Sequence, residues 1–410
     1  MFDIRLVDLE NTGHMLNTPD TELESRLSHV RALLREKNLG VLLILNRCSE
    51  GYTAWLTGCP MPDVPFNRAG GYIITADGAA IDVSSDTLVT EEFLRNYRKL
   101  DETVTVPATN PLFASALGFY LPDIQPHILP GEKARIGVVH LDDMPAALHD
   151  FLSAGISNLE FVDLSREMAT LKAVRTPFEQ EYAAISSNNL CRVFSAMPFM
   201  LRPGRTEAAL VADIRERVYA LGAGGQDTSR MANVLLESRA PGELNPDPVY
   251  PGRTLHPDDE VCVQIRAISY NDIYSAAGRL YVLGTPHPET VDLWNHAVAA
   301  QDVLLAALHP GATLEQAYAK LTEYCAQNRL HLAPTNPLYG LGYVIGETPI
   351  LFTESGREPL QPGMVLAVAP SISAKESDRF YCCADTFLIT ENGARRLTNM
   401  PRELVTVRLD

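Results

Sequence analysis

Apolar and polar positions along the first third of the chain alternate between helical and strand-like patterns. Residues 22–37 carry an apolar stripe at helical spacing, formed by Leu27, Val30, Leu33 and Leu34. Three short apolar runs are typical of buried strands: Val41–Leu45, Gly71–Ala76 and Ala134–Val139. A second helix is predicted over residues 144–154. This order predicts an α/β domain that covers residues 1–168.

A long helix is predicted near the start of the remaining chain, residues 169–410. Thr176 offers a capping hydroxyl, Pro177 suits the first helical position, and Glu179 places an acid in the first turn. The small and apolar residues that follow continue the helical pattern to Met200. We therefore predict a second domain over residues 169–410 that opens with this helix.

The second part of the chain contains an internal repeat. A Pro-Gly turn followed by a helix occurs at residues 203–204 and again 107 residues later, at residues 310–311. A leucine that precedes a turn and an apolar strand occurs at Leu255 and again 105 residues later, at Leu360. The two nearly equal offsets predict two similar αα-β halves. Such halves would build one curved sheet with helices outside and a cleft between them.

Length and composition are those of a globular protein with two domains. The 410 residues are 46% hydrophobic and 21% charged, and the net charge is −17. The negative charge argues against a nucleic-acid partner and against an anionic membrane surface. No apolar run is long enough for a membrane span, and acids near the start argue against a secretion signal. Seven cysteines without a Cys-x-x-Cys pair indicate reduced thiols, so we expect a cytoplasmic protein.

Several segments resemble, in their order and spacing, the pita-bread family of the peptidase M24 type. This family includes methionine aminopeptidase, aminopeptidase P, prolidase and creatinase. The segments are Tyr52–Gly58, Thr176–Glu179, Pro203–Glu207, Leu255–Gly284, Gly340–Gly342, Glu347–Pro349, Leu360–Pro370, Asp385–Gly393 and Pro401–Leu404. The resemblance implies a creatinase-like α/β N-terminal domain. An α+β pita-bread domain with two pseudo-repeated αα-β halves would follow it.

The peptidases of this family bind two divalent metals through two Asp, one His and two Glu. The metals activate a water and polarise the scissile carbonyl. The resemblance assigns the five positions to other residue types here: Gln264, Ala276, Tyr339, Ala369 and Ala384. Alanine, glutamine and tyrosine do not hold a pair of divalent cations. The resemblance therefore predicts a protein with neither a metal nor another cofactor.

Creatinase is the family member whose chemistry is closest to this pattern, because it has no metal and hydrolyses a C–N bond in a small amidino acid. Its site is completed by the N-terminal domain of the other subunit. There, an aromatic residue and an arginine help to hold the substrate carboxylate. Phe66 and Arg68 occupy the corresponding segment here, and the planar fork of arginine suits a carboxylate. The resemblance thus implies a homodimer with sites completed across the interface.

The sequence departs from creatinase at two reacting positions. Asp247 stands where creatinase has the His that shuttles protons, and Gly278 stands where it has a Glu. An Asp acts as a general base only if burial or a neighbouring acid raises its pKa. Creatine itself is therefore not the expected substrate.

The leading hypothesis is a metal-independent enzyme that acts on a small carboxylate-bearing substrate, with hydrolysis of a C–N bond as its reaction. Asp247 or Glu347 would serve as the acid or base. Gln264 and Tyr339 would donate hydrogen bonds to a developing oxyanion. The aromatic and arginine segment described above would bind the substrate carboxylate.

Other hypotheses stay open at this point. The chain could be a catalytically silent member that binds a small molecule, a peptide or a protein, since three alanines at ligand positions fit a loss of chemistry equally well. A lyase or isomerase reaction at the same site is also compatible with these residues. A peptidase with a different metal site is disfavoured, because the nearby acids Asp258, Asp259 and Asp272 fall in turns at the outer ends of strands.

Overall fold

The computed structural model describes residues 18–45, 51–57, 71–78, 80–84, 102–105, 120–221, 232–244, 252–269, 273–375, 377 and 379–409. The chain divides into two compact units, Met1–Lys172 and Ala173–Asp410. The predicted boundary between residues 168 and 169 lies a few residues before this division, inside the helix Ser165–Ala173.

The first unit is built around a mixed sheet of six strands. Its elements are α1 (Asp20–Glu36), β1 (Val41–Leu45), α2 (Tyr52–Thr57), β2 (Gly71–Thr75), β3 (Ala80–Ser84), β4 (Glu102–Thr105), α3 (Tyr120–Ile124), β5 (Ala134–Val139), α4 (Ala146–Gly155), β6 (Leu159–Asp163) and α5 (Ser165–Ala173). The strand order across the sheet is β4-β3-β2-β1-β5-β6. Strand β1 pairs antiparallel with β2 and parallel with β5.

The sequence pattern accounts for the core of this unit. All five residues of β1 are buried, as expected of a central strand that is covered on both faces. The predicted apolar stripe of α1 is buried as well. Leu148 and Leu152 of α4 pack against β1 and β5 in the same core. The predicted α/β character of the first unit is confirmed.

The second unit consists of two successive groups, each with two helices followed by strands. The first group is α6 (Pro177–Met200), α7 (Glu207–Ala220), β7 (Asn233–Arg239), β8 (Glu260–Ser269) and β9 (Ile273–Leu283). The second is α8 (Pro288–Ala307), α9 (Leu314–Gln327), β10 (Leu330–Leu332), β11 (Leu338–Leu341), β12 (Ile345–Ile350), β13 (Val365–Val368), β14 (Ser371–Ala374), β15 (Tyr381–Cys382), β16 (Asp385–Thr390) and β17 (Gly393–Arg396). Strand β18 (Val405–Val407) returns to pair with β9. The predicted αα-β halves are confirmed.

Three sheets make up this unit, with strand orders β18-β9-β8-β7, β12-β11-β13-β16-β17 and β10-β14-β15. The expected single curved sheet is not formed, because among the described residues the sheets of the two halves are joined only by an isolated bridge between Gly278 and Ala384. Helices α6 and α7 pack on the first sheet, and α8 and α9 pack against strands of the second group. Helix α6 begins with the predicted capping arrangement, in which Thr176 and Glu179 cap each other's backbone N–H groups. None of the helices in the described part of the chain is long and apolar enough to cross a membrane.

The internal repeat is confirmed by hydrogen bonds of the same pattern in both halves. The N–H of Gly204 donates to the carbonyl of Leu255 at 2.8 Å, and the N–H of Gly311 donates to that of Leu360 at 2.9 Å. Both glycines have a positive φ, 86° and 84°, which other residues rarely adopt. In each half, a threonine that follows the turn caps the next helix. The Pro-Gly turn therefore has the same structural role twice.

A buried ion pair between Arg279 of β9 and Asp385 of β16 joins the two halves. Nη2 of Arg279 donates to Oδ1 of Asp385 at 2.8 Å, and both side chains are buried. Nη1 of Arg279 also donates to the carbonyls of Gly278 at 2.7 Å and Ala384 at 2.9 Å. Oδ1 of Asp385 accepts a further bond from Thr398 at 2.6 Å. These bonds compensate the cost of burying two charges.

Breaking this ion pair should destabilise the second unit. Asp385→Asn leaves the Arg279 guanidinium buried without its counter-ion, so the free energy of unfolding should fall by about 3 kcal/mol. Chemical denaturation followed by circular dichroism measures the change. Glu315→Gln is the control, because it removes a partner from the exposed Arg357–Glu315 pair and should leave stability unchanged. Equal losses in both variants would contradict the role assigned to Asp385.

Candidate functional site

The β8–β9 hairpin has one face towards the core helices and one face towards the predicted cleft. The odd-numbered residues of β8 in the range 261–265 are buried against α6 and α7. Because side chains alternate along a strand, Gln264 and Arg266 lie on the opposite face. Their cross-strand partners on β9 are Gly278 and Ala276, respectively. These four residues are named the cleft face below.

The cleft face approaches the start of β16 closely at Gly278. The N–H of Gly278 donates to the carbonyl of Ala384 at 2.9 Å, and the N–H of Ala384 donates back at 3.3 Å. A Cβ added to Gly278 would lie 3.1 Å from both the Cβ of Ala384 and the Cγ of Gln264. Packing therefore favours glycine at this position, where creatinase has a glutamate.

The three alanines at the former metal-ligand positions are buried. Ala369 and Ala384 pack with Cys382 in an apolar cluster. Ala276 lies on the cleft face, where its N–H donates to Oγ1 of Thr386 at 2.8 Å. Burial raises the pKa of the Cys382 thiol well above its usual range, so this thiol is a poor nucleophile.

Arg266 and Tyr339 form the polar centre of this region. Nε of Arg266 donates to the phenol oxygen of Tyr339 at 2.9 Å, and the guanidinium carbon lies 5.8 Å from the ring centroid. Tyr339 is buried, whereas Arg266 is partly exposed. Burial raises the pKa of Tyr339, and the charge of Arg266 opposes part of that rise, so the phenol stays protonated at neutral pH. A positive charge thus lies beside residues that the resemblance assigns to metal-ligand positions.

Gln264 lies beside this pair on the cleft face and is partly exposed. Its side-chain amide has no hydrogen-bond partner among the residues that the structure describes. An amide offers two donors and an acceptor. Gln264 can therefore form hydrogen bonds with a ligand. By the resemblance, it takes the position of the first aspartate of the metallopeptidases.

Glu347 is buried in an ion pair with Arg175. Its Oε2 contacts Nη2 of Arg175, and its Oε1 accepts from the N–H of Val344 at 2.9 Å. Gly342 makes room for the pair, because a Cβ at this residue would collide with both side chains. A carboxylate whose charge is compensated in this way suits a structural role better than proton transfer.

The described residues do not fit the metal pair of the family's peptidases. Within the described ranges, no group of three or more His, Cys, Asp or Glu side chains could hold a metal ion. Three nearby acids are engaged elsewhere: Asp258 with the N–H of Thr285, Asp259 with Arg253, and Asp385 with Arg279. Asp272 lies outside the described residues. The side chains at the former ligand positions are neutral, and the adjacent Arg266 is cationic. They supply neither the carboxylates nor the imidazole that such a site requires.

Three predicted site residues, Asp247, Phe66 and Arg68, lie outside the described residues, so their roles stay predictions. The structure brings Gln264 and Tyr339 to the same region and holds Glu347 in its ion pair. Arg266 is absent from the set predicted from the sequence. The signal that could have found it is strand alternation, because it follows Gln264 by two residues on the same strand.

Comparison with known proteins identifies the family. The family model of metallopeptidase family M24 matches residues 181–391, just over half of the 410 residues. The probable dipeptidase PepE of Mycobacterium tuberculosis (strain H37Rv) is 28% identical over 285 residues. This alignment covers 67% of the present chain and 71% of that protein.

Solved structures share the fold. Dipeptidase PepE from Mycobacterium ulcerans aligns with a TM-score of 0.72 and 24% identity, over 96% of this chain and 100% of that chain. A recombinant prolidase from Thermococcus sibiricus aligns with a TM-score of 0.75 and 18% identity, over 95% and 100% of the two chains. The pita-bread fold inferred from the motifs is confirmed. The chain belongs to metallopeptidase family M24.

Proposed function

We propose that this chain is a metal-independent, creatinase-like hydrolase that cleaves a C–N bond in a small carboxylate-bearing substrate. Membership of a peptidase family supports hydrolysis of C–N bonds. One observation carries the metal-independent part. At the five ligand positions neutral side chains replace the acids and the histidine, and the guanidinium of Arg266 bonds to one of them, Tyr339.

Hydrolysis without a metal needs a base for the water and donors for the oxyanion. Asp247 would take a proton from water, and the resulting hydroxide would attack the carbonyl or amidino carbon. As the C–N bond breaks, the leaving nitrogen would take that proton back from Asp247. The protonated phenol of Tyr339 and the amide of Gln264 would both donate to the developing oxyanion.

The first substrates to test are dipeptides and amidino acids that end in a carboxylate. The relative in Mycobacterium tuberculosis is described as a dipeptidase, and a dipeptide has one peptide bond close to a free carboxylate. An amidino acid has the same combination of a C–N bond and a nearby carboxylate. Both classes therefore match the donors and the cation of the described site.

The assembly belongs to the same proposal. By resemblance to creatinase, the protein would be a cytoplasmic homodimer in which Phe66 and Arg68 help to bind the substrate carboxylate. Scattering in solution measures the oligomeric state, and a monomer at all concentrations would contradict the dimer.

A catalytically silent binding protein is the second candidate function. The observation that favours it is the ion pair that engages Glu347, because the four residues of the cleft face include no carboxylate and no imidazole. Gln264 and Tyr339 would then bind a ligand without turnover. The two functions can be separated by testing the dipeptides and amidino acids for cleavage. Cleavage that is lost in an Asp247 variant would support the hydrolase and contradict the silent binding protein.

Stability should not depend on a divalent metal. The purified protein should contain well under one equivalent of Mn, Fe, Co or Zn per chain, because the described site lacks an anionic ligand set. Elemental analysis by mass spectrometry and the melting temperature with and without EDTA test this. A metallopeptidase purified in parallel controls for loss of metal during preparation. Stoichiometric metal whose removal lowers the melting temperature would contradict the proposal.

The two acid/base candidates should respond differently to substitution. Asp247→Asn should lower kcat/KM by about 100-fold or more at unchanged stability, because it removes the base. Glu347→Gln should lower the free energy of unfolding by about 3 kcal/mol, because Arg175 loses the nearer of its two buried carboxylate partners and keeps only Glu179, at 3.8 Å. Kinetics and chemical denaturation of both variants provide the comparison. A fully active Asp247→Asn beside an inactive, stable Glu347→Gln would assign the base to Glu347 instead.

A further inference from the structure

We propose that Arg266 is the anion-binding residue of the cleft face. Its two terminal nitrogens bind the carboxylate of the ligand, and Tyr339 positions the guanidinium. This inference deepens the proposed function and rests on it only in identifying the ligand as the substrate. Arg266, a residue of the second unit, thus takes the carboxylate-binding role that the resemblance to creatinase implies for Arg68.

The position of Arg266 supports this inference. It lies on the cleft face two residues from Gln264 and opposite Ala276, and both of these take positions of metal-ligand aspartates. It bonds to Tyr339, which takes the position of the ligand histidine. Its side chain is partly exposed, so a ligand in the cleft can reach it. The guanidinium therefore provides a positive charge close to where the family's peptidases bind their metals.

The guanidinium fork of Arg266 is available to a ligand. Its Nε bonds to Tyr339, which fixes the orientation of the guanidinium plane. Neither terminal nitrogen of Arg266 has a hydrogen-bond or salt-bridge partner within the described part of the chain. The buried arginines of this unit differ, because Arg175, Arg239 and Arg279 each pair with a carboxylate. Arg266 thus has two donors to offer to a ligand.

The described neighbours of Arg266 carry no charge. They are Ala276 and Asn233 on the two adjacent strands, the protonated phenol of Tyr339, and the thiol of Cys382, on which its charge acts. Partial removal of a cation from water costs free energy unless an anion pairs with the cation. A carboxylate satisfies this need best, because its two oxygens accept two parallel N–H bonds from the fork.

Tyr339 acts through Arg266 as a positioning residue. Its oxygen accepts the Nε–H bond, and its own O–H has no acceptor among the described residues. Removal of the phenol oxygen would leave the charge of Arg266 in place but release the orientation of its plane. Tyr339→Phe should therefore weaken carboxylate binding less than the loss of Arg266 does.

The test compares binding of N-acetylglycine with binding of its neutral amide, N-acetylglycinamide, to the full chain by saturation-transfer NMR and calorimetry. The parent protein should bind the carboxylate about 10-fold more tightly than the amide, or better. Arg266→Gln should abolish this preference. Arg266→Lys should keep part of it, because the charge stays while the fork is lost. Tyr339→Phe should reduce it by about 3-fold.

Arg217→Gln is the matched control, because it removes the same charge from an exposed position on α7 and should leave the preference unchanged. Circular dichroism and melting curves establish that each variant is folded. A preference kept in Arg266→Gln would overturn the inference, as would a parent protein without saturable carboxylate binding. A preference lost in Arg68→Ala but kept in Arg266→Gln would assign the carboxylate to Arg68.

The binding experiment does not require turnover, so the two proposals can fail separately. If the preference depends on Arg266 but no substrate is cleaved, the hydrolase proposal fails and the anion site stands. If a substrate is cleaved and Arg266→Gln keeps the preference, the anion site fails and the hydrolase proposal stands.

Discussion

The buried ion pair between Arg279 and Asp385 holds the two halves of the second unit at a fixed separation. The guanidinium of Arg279 bonds to the aspartate and to the carbonyls of Gly278 and Ala384, so it fixes the backbone on both sides of the junction. The missing side chain of Gly278 allows this close approach. A buried ion pair within the protein therefore holds the backbone of the cleft face against the start of β16.

The charge of the cleft face differs from that of the family's metal site. By the resemblance, neutral side chains take the five positions at which the family's peptidases bind two divalent metals, and Arg266 lies beside two of them. The positive charge that remains belongs to Arg266, and the bond to Tyr339 holds it in place. A small carboxylate is the ligand that such a cation attracts most specifically.

Much of the fold can be predicted from the sequence, because helix caps, apolar stripes and Pro-Gly turns act over a few residues. The turns at Gly204 and Gly311 show this most clearly, since both halves repeat the same backbone hydrogen bond. The site is less predictable, because its contacts join residues far apart in the chain. Glu347 pairs with Arg175 across 172 positions, and Arg266 meets Tyr339 across 73. No local pattern encodes such partners: the resemblance identified Glu347 and Tyr339, but not the arginines that they contact.

The central claim is that the cleft has no metal site. It can be tested most directly by soaking crystals with Mn²⁺ and collecting diffraction data on both sides of the manganese absorption edge. Our account predicts no anomalous peak among the five former ligand positions, with the guanidinium of Arg266 bonded to Tyr339 in the same map. A strong peak coordinated by side chains beside Gln264 and Ala384 would contradict it.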